Sequence, residues 1–405
     1  MRYDVAIVGA GPAGAASAIH LAHGGQRVAL VDRSVFPRDK PCAEYLSPAA
    51  EPLLARLGIA DLLDEAHPHR LRGFRIYAPN GRMFQGDFAA TRGPDGASLH
   101  ETGLVIPRSR LDTAIVTGAR RAGAEVREGW RLGQLERLSD GWRLLPVGAD
   151  EPIEARLLVA ADGLRSTVAR RLGLHVVSRM RKIALVAHIR GIAGVGAYGE
   201  MHVSGRRYVG VAPMEPPERG DLCNVAMVVD EARDGPRIAG KPEAFLLDAL
   251  QSFPALRDRL GSLVVERRTL TTSRLNVRAR SLSQAHLLLV GDTTGYYDPF
   301  TGEGIYRALH GAELLEEVAL PALAADDLSA ARLAAYDRSH RQAFRGKRLI
   351  ERIIQAAVQA PPLMDHIART LSRRKAMADT IVAVTGDFLP TSAVLRPGYL
   401  LRLVV

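Results

Sequence analysis

The sequence has little cysteine. Only Cys42 and Cys223 occur in 405 residues, and they do not form a Cys-x-x-Cys pair. A small secreted fold stabilised by disulfides, a cysteine-based zinc site and a dithiol redox pair all need more cysteines than this. The sequence therefore predicts no disulfide framework and no metal site.

Aromatic residues and lysine are also scarce. Aromatic residues make up 5% of the chain, and only five of its 54 basic residues are lysine. The net charge of +10 would suit an anionic partner, but the arginines are spread along the whole length. A protein that stacks bases on its surface places aromatic residues among its basic ones. This chain does not, so we expect no nucleic-acid partner.

Long uncharged apolar runs are absent, and the N-terminus enters a strand pattern without a basic-then-apolar leader. Because a helix that spans a bilayer needs about 20 apolar residues, we expect a cytoplasmic protein, either a monomer or a homodimer. The basic segment 338–354 leaves two interpretations open. It is either a solvated helix face or a surface in peripheral contact with an anionic membrane.

Residues 3–33 have the pattern of a strand, a helix and a second strand. The turn between the first strand and the helix reads Gly-x-Gly-x-x-Gly, and an acid, Asp32, closes the second strand. In a dinucleotide-binding unit Gly9 permits the tight turn, Gly11 lets the backbone approach a pyrophosphate, and Gly14 lets the helix pack closely. Asp32 accepts hydrogen bonds from the adenosine ribose.

Two more glycine–acid pairs follow apolar runs that have the pattern of buried strands. Asp162 and Gly163 follow one run, and Gly291 and Asp292 follow another, with the Gly-Glu-Gly sequence 302–304 at the start of a helix pattern. Ligands of a doubly wound sheet bind outside the carboxyl ends of its strands, so the three glycine–acid pairs should all contact one extended ligand. NAD would need only the first pair. The presence of all three therefore favours FAD over NAD.

Between the glycine–acid pairs, the pattern from residue 181 to about 275 becomes strand-like. The sequence predicts an α/β fold with a Rossmann-like FAD-binding domain of the GR2 type, interrupted by a mostly antiparallel substrate sheet and followed by a helical C-terminal region. The predicted boundaries are 1–70, 100–175 and 276–340 for the FAD-binding domain, 71–99 and 176–275 for the substrate sheet, and 341–405 for the helical region.

The glycine motif, ADGLRS (161–166) and GDTTGYYDPFTGEGI (291–305) together resemble one FAD-dependent superfamily. It contains the single-component (group A) flavoprotein monooxygenases, the flavin halogenases and the geranylgeranyl reductases. The resemblance covers nearly the whole chain and implies one non-covalent FAD.

The resemblance also implies roles for individual residues. Arg108 would contact FAD, Asp162 would bridge the cofactor and the neighbouring helix, and Pro299 would lie against the flavin edge. The backbone of 302–304 would bind the flavin ring. The expected FAD contacts are Gly9, Gly11, Pro12, Ala13, Gly14, Asp32, Arg33, Arg108, Asp162, Gly163, Gly291, Asp292, Pro299, Gly302, Glu303, Gly304 and Ile305.

Two features indicate which branch of the superfamily the sequence resembles. Gly295 stands where aromatic hydroxylases of the superfamily commonly carry histidine, and KPCAEYLSP (40–48) is similar to a segment of the geranylgeranyl reductases. The reductases' Tyr-x-Trp-x-Phe-Pro segment appears here as YVGVAP, without its two large aromatic residues, which predicts a wider pocket. The expected pocket residues are Cys42, Tyr208, Gly210, Ala212 and Pro213.

The reaction is expected to be an NAD(P)H-dependent, FAD-dependent monooxygenation of a lipophilic aromatic or polyketide-like small molecule, with NAD(P)H docking transiently. The alternative is reduction of an isolated carbon–carbon double bond of a lipid or prenyl substrate, and a third hypothesis is a non-catalytic FAD-bearing scaffold. The sequence identifies no catalytic residue. Its candidates are Cys42, Glu303 and Tyr208.

Overall fold

The computed structural model describes residues 2–91, 102–178, 181–273 and 275–404. Its strands are β1 Arg2–Val8, β2 Val28–Val31, β3 Tyr45–Leu46, β4 His69–Leu71, β5 Gly73–Tyr77, β6 Met83–Asp87, β7 Gly103–Val105, β8 Glu125–Arg127, β9 Leu132–Leu138, β10 Gly141–Pro146, β11 Ile153–Ala160, β12 His175–Val177, β13 Lys182–Ile192, β14 Tyr198–Ser204, β15 Arg207–Pro213, β16 Cys223–Asp230, β17 Leu260–Ser273, β18 Val277–Ala279, β19 Ser283–Gln284, β20 Leu287–Leu289 and β21 Gly295–Tyr296. Its α-helices are α1 Pro12–His23, α2 Ala50–Arg56, α3 Ala60–Glu65, α4 Arg108–Arg121, α5 Thr167–Arg171, α6 Glu231–Ile238, α7 Pro242–Leu250, α8 Pro254–Arg257, α9 Gly304–Ala324, α10 Ala330–Gln359, α11 Pro361–Arg373, α12 Lys375–Thr385, α13 Ser392–Leu395 and α14 Pro397–Val404.

The first sheet is built around five parallel strands. Its order is β19-β20-β11-β1-β2-β8, and the hairpin β9–β10 extends it by antiparallel pairing to the start of β11. Strand side chains alternate between the two faces. Val5 and Ile7 of β1 therefore pack with α1, α4 and α9, whereas Ala6 and Val8 pack on the opposite face with α5 and the hairpin.

The second sheet has seven strands in the order β17-β13-β16-β15-β14-β5-β6. All of its neighbouring strands pair antiparallel except β14 and β5. Val209 and Val211 of β15 pack on the face that α6, α7 and α8 cover. Tyr208 and Ala212 lie on the other face, together with apolar residues of α10, α11, α12 and α14. The second sheet is therefore covered by helices on both faces.

The predicted fold class is confirmed: an α/β FAD-binding fold, a largely antiparallel second sheet and a helical C-terminus. The predicted domain limits need one correction, because α10 runs unbroken through residues 340 and 341, where a boundary was expected. Residues 92–99 of the expected substrate sheet lie outside the described residues. The remaining boundaries stay predictions.

Candidate active site

A tight glycine turn joins β1 to α1. Gly9 has a φ of +105°, a conformation that side chains rarely adopt, and a Cβ on Gly14 would lie 1.9 Å from the Gly9 carbonyl oxygen. A Cβ on Gly11 would meet nothing nearer than the Arg38 guanidinium at 3.6 Å. Gly11 instead lines an open cleft. The turn therefore presents bare backbone to that cleft.

Asp32, at the end of the second strand, holds this turn in place. Its Oδ2 accepts a hydrogen bond from the Ala10 amide at 2.8 Å, and its Oδ1 accepts one from the Ser34 amide at 2.8 Å. Each carboxylate oxygen has a further acceptor position, so Asp32 can still accept from a ribose hydroxyl. The neighbouring Arg33 is exposed and does not line the cleft, so its expected contact with FAD is not supported.

Two cations, Arg108 and Lys40, line the cleft beside the turn. The Arg108 guanidinium donates to both carboxylate oxygens of Asp112, at 2.8 and 2.9 Å. Burial opposes its charge, but Asp112 outweighs burial and raises the pKa of Arg108. Burial and the charge of Arg108 lower the pKa of Lys40. Two cations held this close suit a ligand that carries phosphates.

Asp162 and Gly163 follow β11 at the next strand end. Asp162 Oδ2 accepts hydrogen bonds from the amides of Thr167 and Val168 at 2.5 and 3.2 Å, so the carboxylate caps α5. Burial raises the pKa of Asp162, and its Oδ1 is buried without a hydrogen-bond partner. This oxygen can serve as the second half of the bridge expected between the helix and the cofactor.

The segment from Gly291 to Ile305 forms the third wall. Gly291 has a φ of +64°, and a Cβ there would lie 2.6 Å from Ala13 Cβ, so this turn packs directly on the first glycine turn. Gly302 has a φ of +71° and lies against the Tyr45 ring. Gly304 begins α9, whose first amides have no partner within the helix. Gly304 and Ile305, the first residues of this helix, line the cleft.

The three strand ends therefore meet in one cleft with an empty volume of about 1300 Å³. The residues expected to bind FAD that line it are Gly11, Pro12, Ala13, Arg108, Gly163, Gly291, Asp292, Pro299, Gly302, Gly304 and Ile305. Open backbone at Gly11, paired cations, an orphaned carboxylate oxygen and a helix N-terminus are the groups that a flavin dinucleotide requires. The residues present fit FAD.

A second cavity of about 1120 Å³ continues from this cleft. Tyr45, Met201, Gly210, Pro299 and Gly302 line both spaces. The far walls are mostly aliphatic and aromatic. They are formed by Phe74, Ile76 and Phe84 of the second sheet and by Ile353, Ile354, Met364, Ile367, Leu371, Ile381 and Leu403 of the C-terminal helices. An apolar cavity thus opens beside the place where the flavin ring is expected.

Most of the expected pocket residues lie at this junction. Gly210 lines both spaces, Tyr208 and Cys42 line the cleft, and Ala212 lines the apolar cavity. Pro213 lines neither space. It follows Ala212 by one residue, and successive strand side chains point to opposite faces, so its inclusion in the pocket was wrong.

Tyr208 is anchored by a buried polar chain. Its hydroxyl donates to Asp298 Oδ1 at 2.6 Å, and Lys182 Nζ lies 2.6 Å from Asp298 Oδ2. Lys182 also donates to Gln355 of α10. Burial and the negative charge of Asp298 raise the pKa of Tyr208 well above its ordinary value. The Tyr208 hydroxyl therefore keeps its proton at neutral pH.

The loop that carries Cys42 is held by Glu44, which has a φ of +59°. The Cys42 sulfur accepts from the Glu44 amide at 3.3 Å. The Glu44 carboxylate contacts His188 Nε2 at 2.7 Å and accepts from Asn224 and Arg267 at 2.9 and 3.0 Å. Burial opposes its charge, but these partners outweigh burial and lower the pKa of Glu44. The network fixes Cys42 against the cleft.

Glu303 lies apart from both spaces. It lines a small polar chamber of about 340 Å³ with Asp292, Arg307 and Glu351. Burial and the nearby charge of Asp387 raise the pKa of Glu303 to about 8. Lys347 lies 3.5 Å from its Oε1. As a candidate acid, Glu303 therefore faces this chamber and not the substrate cavity.

The sequence analysis missed Lys40, Tyr45, Glu44 and the C-terminal cavity wall. Lys40, Glu44 and Tyr45 lie within the segment 40–48 that carried part of the resemblance, so a signal was present. The C-terminal wall had no motif, because its residues are ordinary apolar positions of amphipathic helices. Within the described ranges no group of histidine, cysteine or acidic residues could hold a metal ion, and no helix is long and apolar enough to cross a membrane.

Comparisons with known proteins agree with this geometry. A family model described as FAD binding domain matches residues 2–349. Digeranylgeranylglycerophospholipid reductase 1 of Methanothermobacter thermautotrophicus is 32% identical over 84% of this chain and 82% of its own length. The menaquinone reductase of Mycolicibacterium smegmatis is 30% identical over 78% of this chain and 76% of its own length.

Two further similarities extend over most of the chain. Conditioned medium factor receptor 1 of Dictyostelium discoideum is 29% identical over 81% of this chain, which spans 65% of that protein. The crystal structure of a flavoprotein/dehydrogenase from Cytophaga hutchinsonii matches with a TM-score of 0.83 at 18% identity, covering 95% of this chain and 93% of that one. The last similarity shows the fold. Because the FAD-binding family covers residues 2–349 and its ligand fits the cleft, the chain belongs to this family and is an FAD-dependent oxidoreductase.

Proposed function

We propose that the protein reduces carbon–carbon double bonds in a long isoprenoid chain of a lipid or quinone. The observation that carries this proposal is the apolar cavity of about 1120 Å³ that joins the flavin cleft at Tyr45, Met201 and Gly210. A long hydrocarbon chain would fill this cavity and bring one of its double bonds to the flavin. Because of this cavity, we favour the reductase hypothesis over monooxygenation.

The chemistry of the walls supports a hydrocarbon substrate. Glu200 is the one charged residue among the described residues that line the cavity, and its carboxylate lies on the other face of β14, where Arg259 binds it at 2.8 and 3.0 Å and His202 at 2.9 Å. It is therefore already neutralised by partners within the chain. A substrate that carried polar groups along its length would lose hydration in this cavity without gaining hydrogen bonds.

The relatives support the same substrate class. Two proteins at least 30% identical to this chain are named as reductases, one of a digeranylgeranylglycerophospholipid and one of menaquinone. Both names describe molecules with isoprenoid chains. We extend only the substrate class, a molecule with an isoprenoid chain, to this protein, and we propose no particular head group.

When bound, FAD would supply a hydride. Residues of the chain would stabilise charge on the ring, exclude water and hold a proton. The free amides at the start of α9 favour negative charge on the reduced ring. The apolar walls exclude water from the double bond. Tyr208 and Cys42 border the cleft, and Tyr208 carries a proton on Oη. Of the two, Tyr208 has a buried chain through Asp298 to Lys182 from which its proton can be replaced.

Monooxygenation of a bulky lipophilic molecule is the second candidate. Gly210 and Ala212 favour it, because small residues on this strand leave width beside the flavin. NAD(P)H remains the expected transient electron donor for either reaction.

The test is a single-turnover assay without oxygen. Reduced holoprotein is mixed anaerobically with a menaquinone or a geranylgeranyl lipid, and the product is analysed by mass spectrometry. We expect flavin reoxidation together with an isoprenoid chain that has gained two hydrogen atoms per reduced double bond, scored after air has returned any menaquinol to menaquinone. Full conversion that requires oxygen and adds an oxygen atom would favour the second candidate, and anaerobic mixing without reoxidation would contradict the first.

A further inference from the structure

The exposed leucines and isoleucines of the described residues are confined to three C-terminal helices. They are Leu349 and Ile353 on α10, Leu363 on α11 and Leu401 on α14, with exposures of 47%, 38%, 39% and 65%. Exposed apolar side chains scattered singly need no explanation. Here all four are restricted to the helices that close the apolar cavity.

The exposed side chains of α10 and α11 lie at or beside the cavity wall. Ile353 itself lines the cavity, and Leu349 lies one helical turn before it. Leu363 is one turn before Ile367, which also lines the cavity. Residues four apart share a helix face. On α10 and α11 the apolar wall therefore continues outward onto the surface, whereas Leu401 lies on the opposite side of α14 from the buried Leu403.

The same face of α10 is positively charged. Arg345, Arg348 and Arg352 are exposed and alternate with Leu349 and Ile353 at helical spacing. None of the three arginines forms a salt bridge with any described residue. The one acid in this stretch, Glu351, is buried and contacts Arg307. The outer face thus combines aliphatic side chains with unopposed positive charge.

We propose that this face docks on an anionic lipid bilayer. The docking face is defined by Arg345, Arg348, Leu349, Arg352, Ile353 and Leu363. A helix with arginines beside leucine and isoleucine lies in the interface of a membrane, where the apolar side chains enter the acyl region and the cations meet anionic head groups. The cavity mouth would then face the lipid.

Docking would give the cavity direct access to a substrate that resides in the membrane. An isoprenoid lipid resides in the bilayer, and its transfer through water to a buried cavity is slow and unfavourable. A cavity that opens toward the membrane lets the chain enter without that step. This consequence rests on the proposed function, whereas docking itself rests on the surface alone.

The binding experiment uses purified full-length holoprotein without substrate. Co-sedimentation is measured with vesicles of phosphatidylcholine and with vesicles that also contain phosphatidylglycerol. We expect binding to the anionic vesicles that weakens as salt is raised, because salt screens the arginines. Absence of binding to anionic vesicles at low salt would overturn the proposal.

A triple variant, Arg345→Gln, Arg348→Gln and Arg352→Gln, tests the surface itself. At about fivefold per arginine, the vesicle partition coefficient should fall about a hundredfold. The control changes Arg171, Arg206 and Arg268 to Gln, three exposed arginines on other faces, and should bind nearly as the parent does. FAD content confirms folding in both variants. Equal binding by the two variants would overturn the proposal.

The apolar part of the docking face is tested by Leu349→Gln combined with Leu363→Gln. We expect weaker vesicle binding that added anionic lipid restores only in part. If this variant instead dissociates a dimer seen for the parent protein, and neither binds vesicles, the face joins two copies of the chain and membrane docking is wrong. Reduction of a detergent-solubilised substrate is assayed separately, so failure of the reductase proposal leaves the vesicle result intact.

Discussion

At the scale of single residues, the glycines of the first turn have different physical requirements. A Cβ on Gly14 would lie 1.9 Å from a backbone oxygen, whereas a Cβ on Gly11 would have 3.6 Å to its nearest neighbour. Gly14 is therefore needed by the fold itself. Gly11 is needed so that a ligand in the cleft can approach the backbone closely.

We predict that Gly14→Ala destabilises the protein while Gly11→Ala does not. The overpacked Gly14 variant should lose about 1–3 kcal/mol of unfolding free energy and most of its FAD. When both are stripped of FAD, Gly11→Ala should unfold like the parent, and it should bind added FAD more weakly. Thermal unfolding and flavin content after gel filtration measure both. Equal unfolding temperatures for the two variants would show that the turn can relax around position 14.

Glu303 gives a prediction about pH. Its pKa is raised from 4.5 to about 8, so between these values the folded state holds a proton that the unfolded state has released. Stability must then fall as the pH rises through this window. Glu303→Gln cannot titrate, so it should gain about 3–4 kcal/mol relative to the parent between pH 5 and pH 8.

The measurement for Glu303 is denaturant unfolding of both proteins at several pH values. The exposed Glu317, on the same helix, provides a matched control. Glu317→Gln should follow the parent at every pH. A constant difference between parent and Glu303→Gln across the window would mean that Glu303 is already ionised, held by Lys347 at 3.5 Å.

At the scale of the element, β15 decides the width of the cavity. A Cβ on Gly210 would meet the Met201 methyl group at 3.5 Å, an ordinary contact. The strand therefore accepts alanine at this position. A large ring would have to occupy the space that the two cavities share.

We predict that Gly210→Trp blocks long-chain substrates while FAD remains bound. Titration with geranylgeraniol should perturb the flavin spectrum of the parent and of Gly210→Ala, and should leave that of Gly210→Trp unchanged. The rate of anaerobic bleaching by NADPH should be similar in all three, since that donor need not enter the apolar cavity. Loss of flavin from Gly210→Trp would instead assign this strand to the cofactor site.

At the scale of the whole molecule, the cleft that fits FAD is formed by separate parts of the chain. The expected contacts of FAD come from the first turn, from α4 and from the segment 291–305. A ligand that binds only the folded state stabilises it by mass action, by about 2.7 kcal/mol when its concentration is 100 times its dissociation constant.

We therefore predict that removal of FAD lowers the unfolding temperature by several degrees. Acid treatment should release the flavin, because no covalent bond is expected. Scanning fluorimetry of the stripped protein with added FAD should restore the higher temperature, and FMN, which lacks the adenosine half, should restore less. Flavin that stays with precipitated protein would contradict non-covalent binding.

Local patterns were sufficient to predict the strands and turns whose ends meet at the cleft. The Gly-x-Gly-x-x-Gly turn, Asp162 and the helix start at Gly304 each depend on backbone geometry within a few residues. Pro213 was misplaced because a side chain's direction depends on the strand phase, whereas the contact of the exposed Arg33 with FAD stays a prediction.

The sequence by itself determined the α/β FAD-binding fold and its glycine turns. Steric limits on the backbone at Gly9 and Gly14 act locally, and the residue types reveal them. Only the tertiary structure decided that helices from residues 330–404 close an apolar cavity beside the cleft and carry Leu349 and Ile353 on their outer face. The reason is that such a wall is assembled from side chains far apart in sequence, whose shared neighbours appear only when the chain packs.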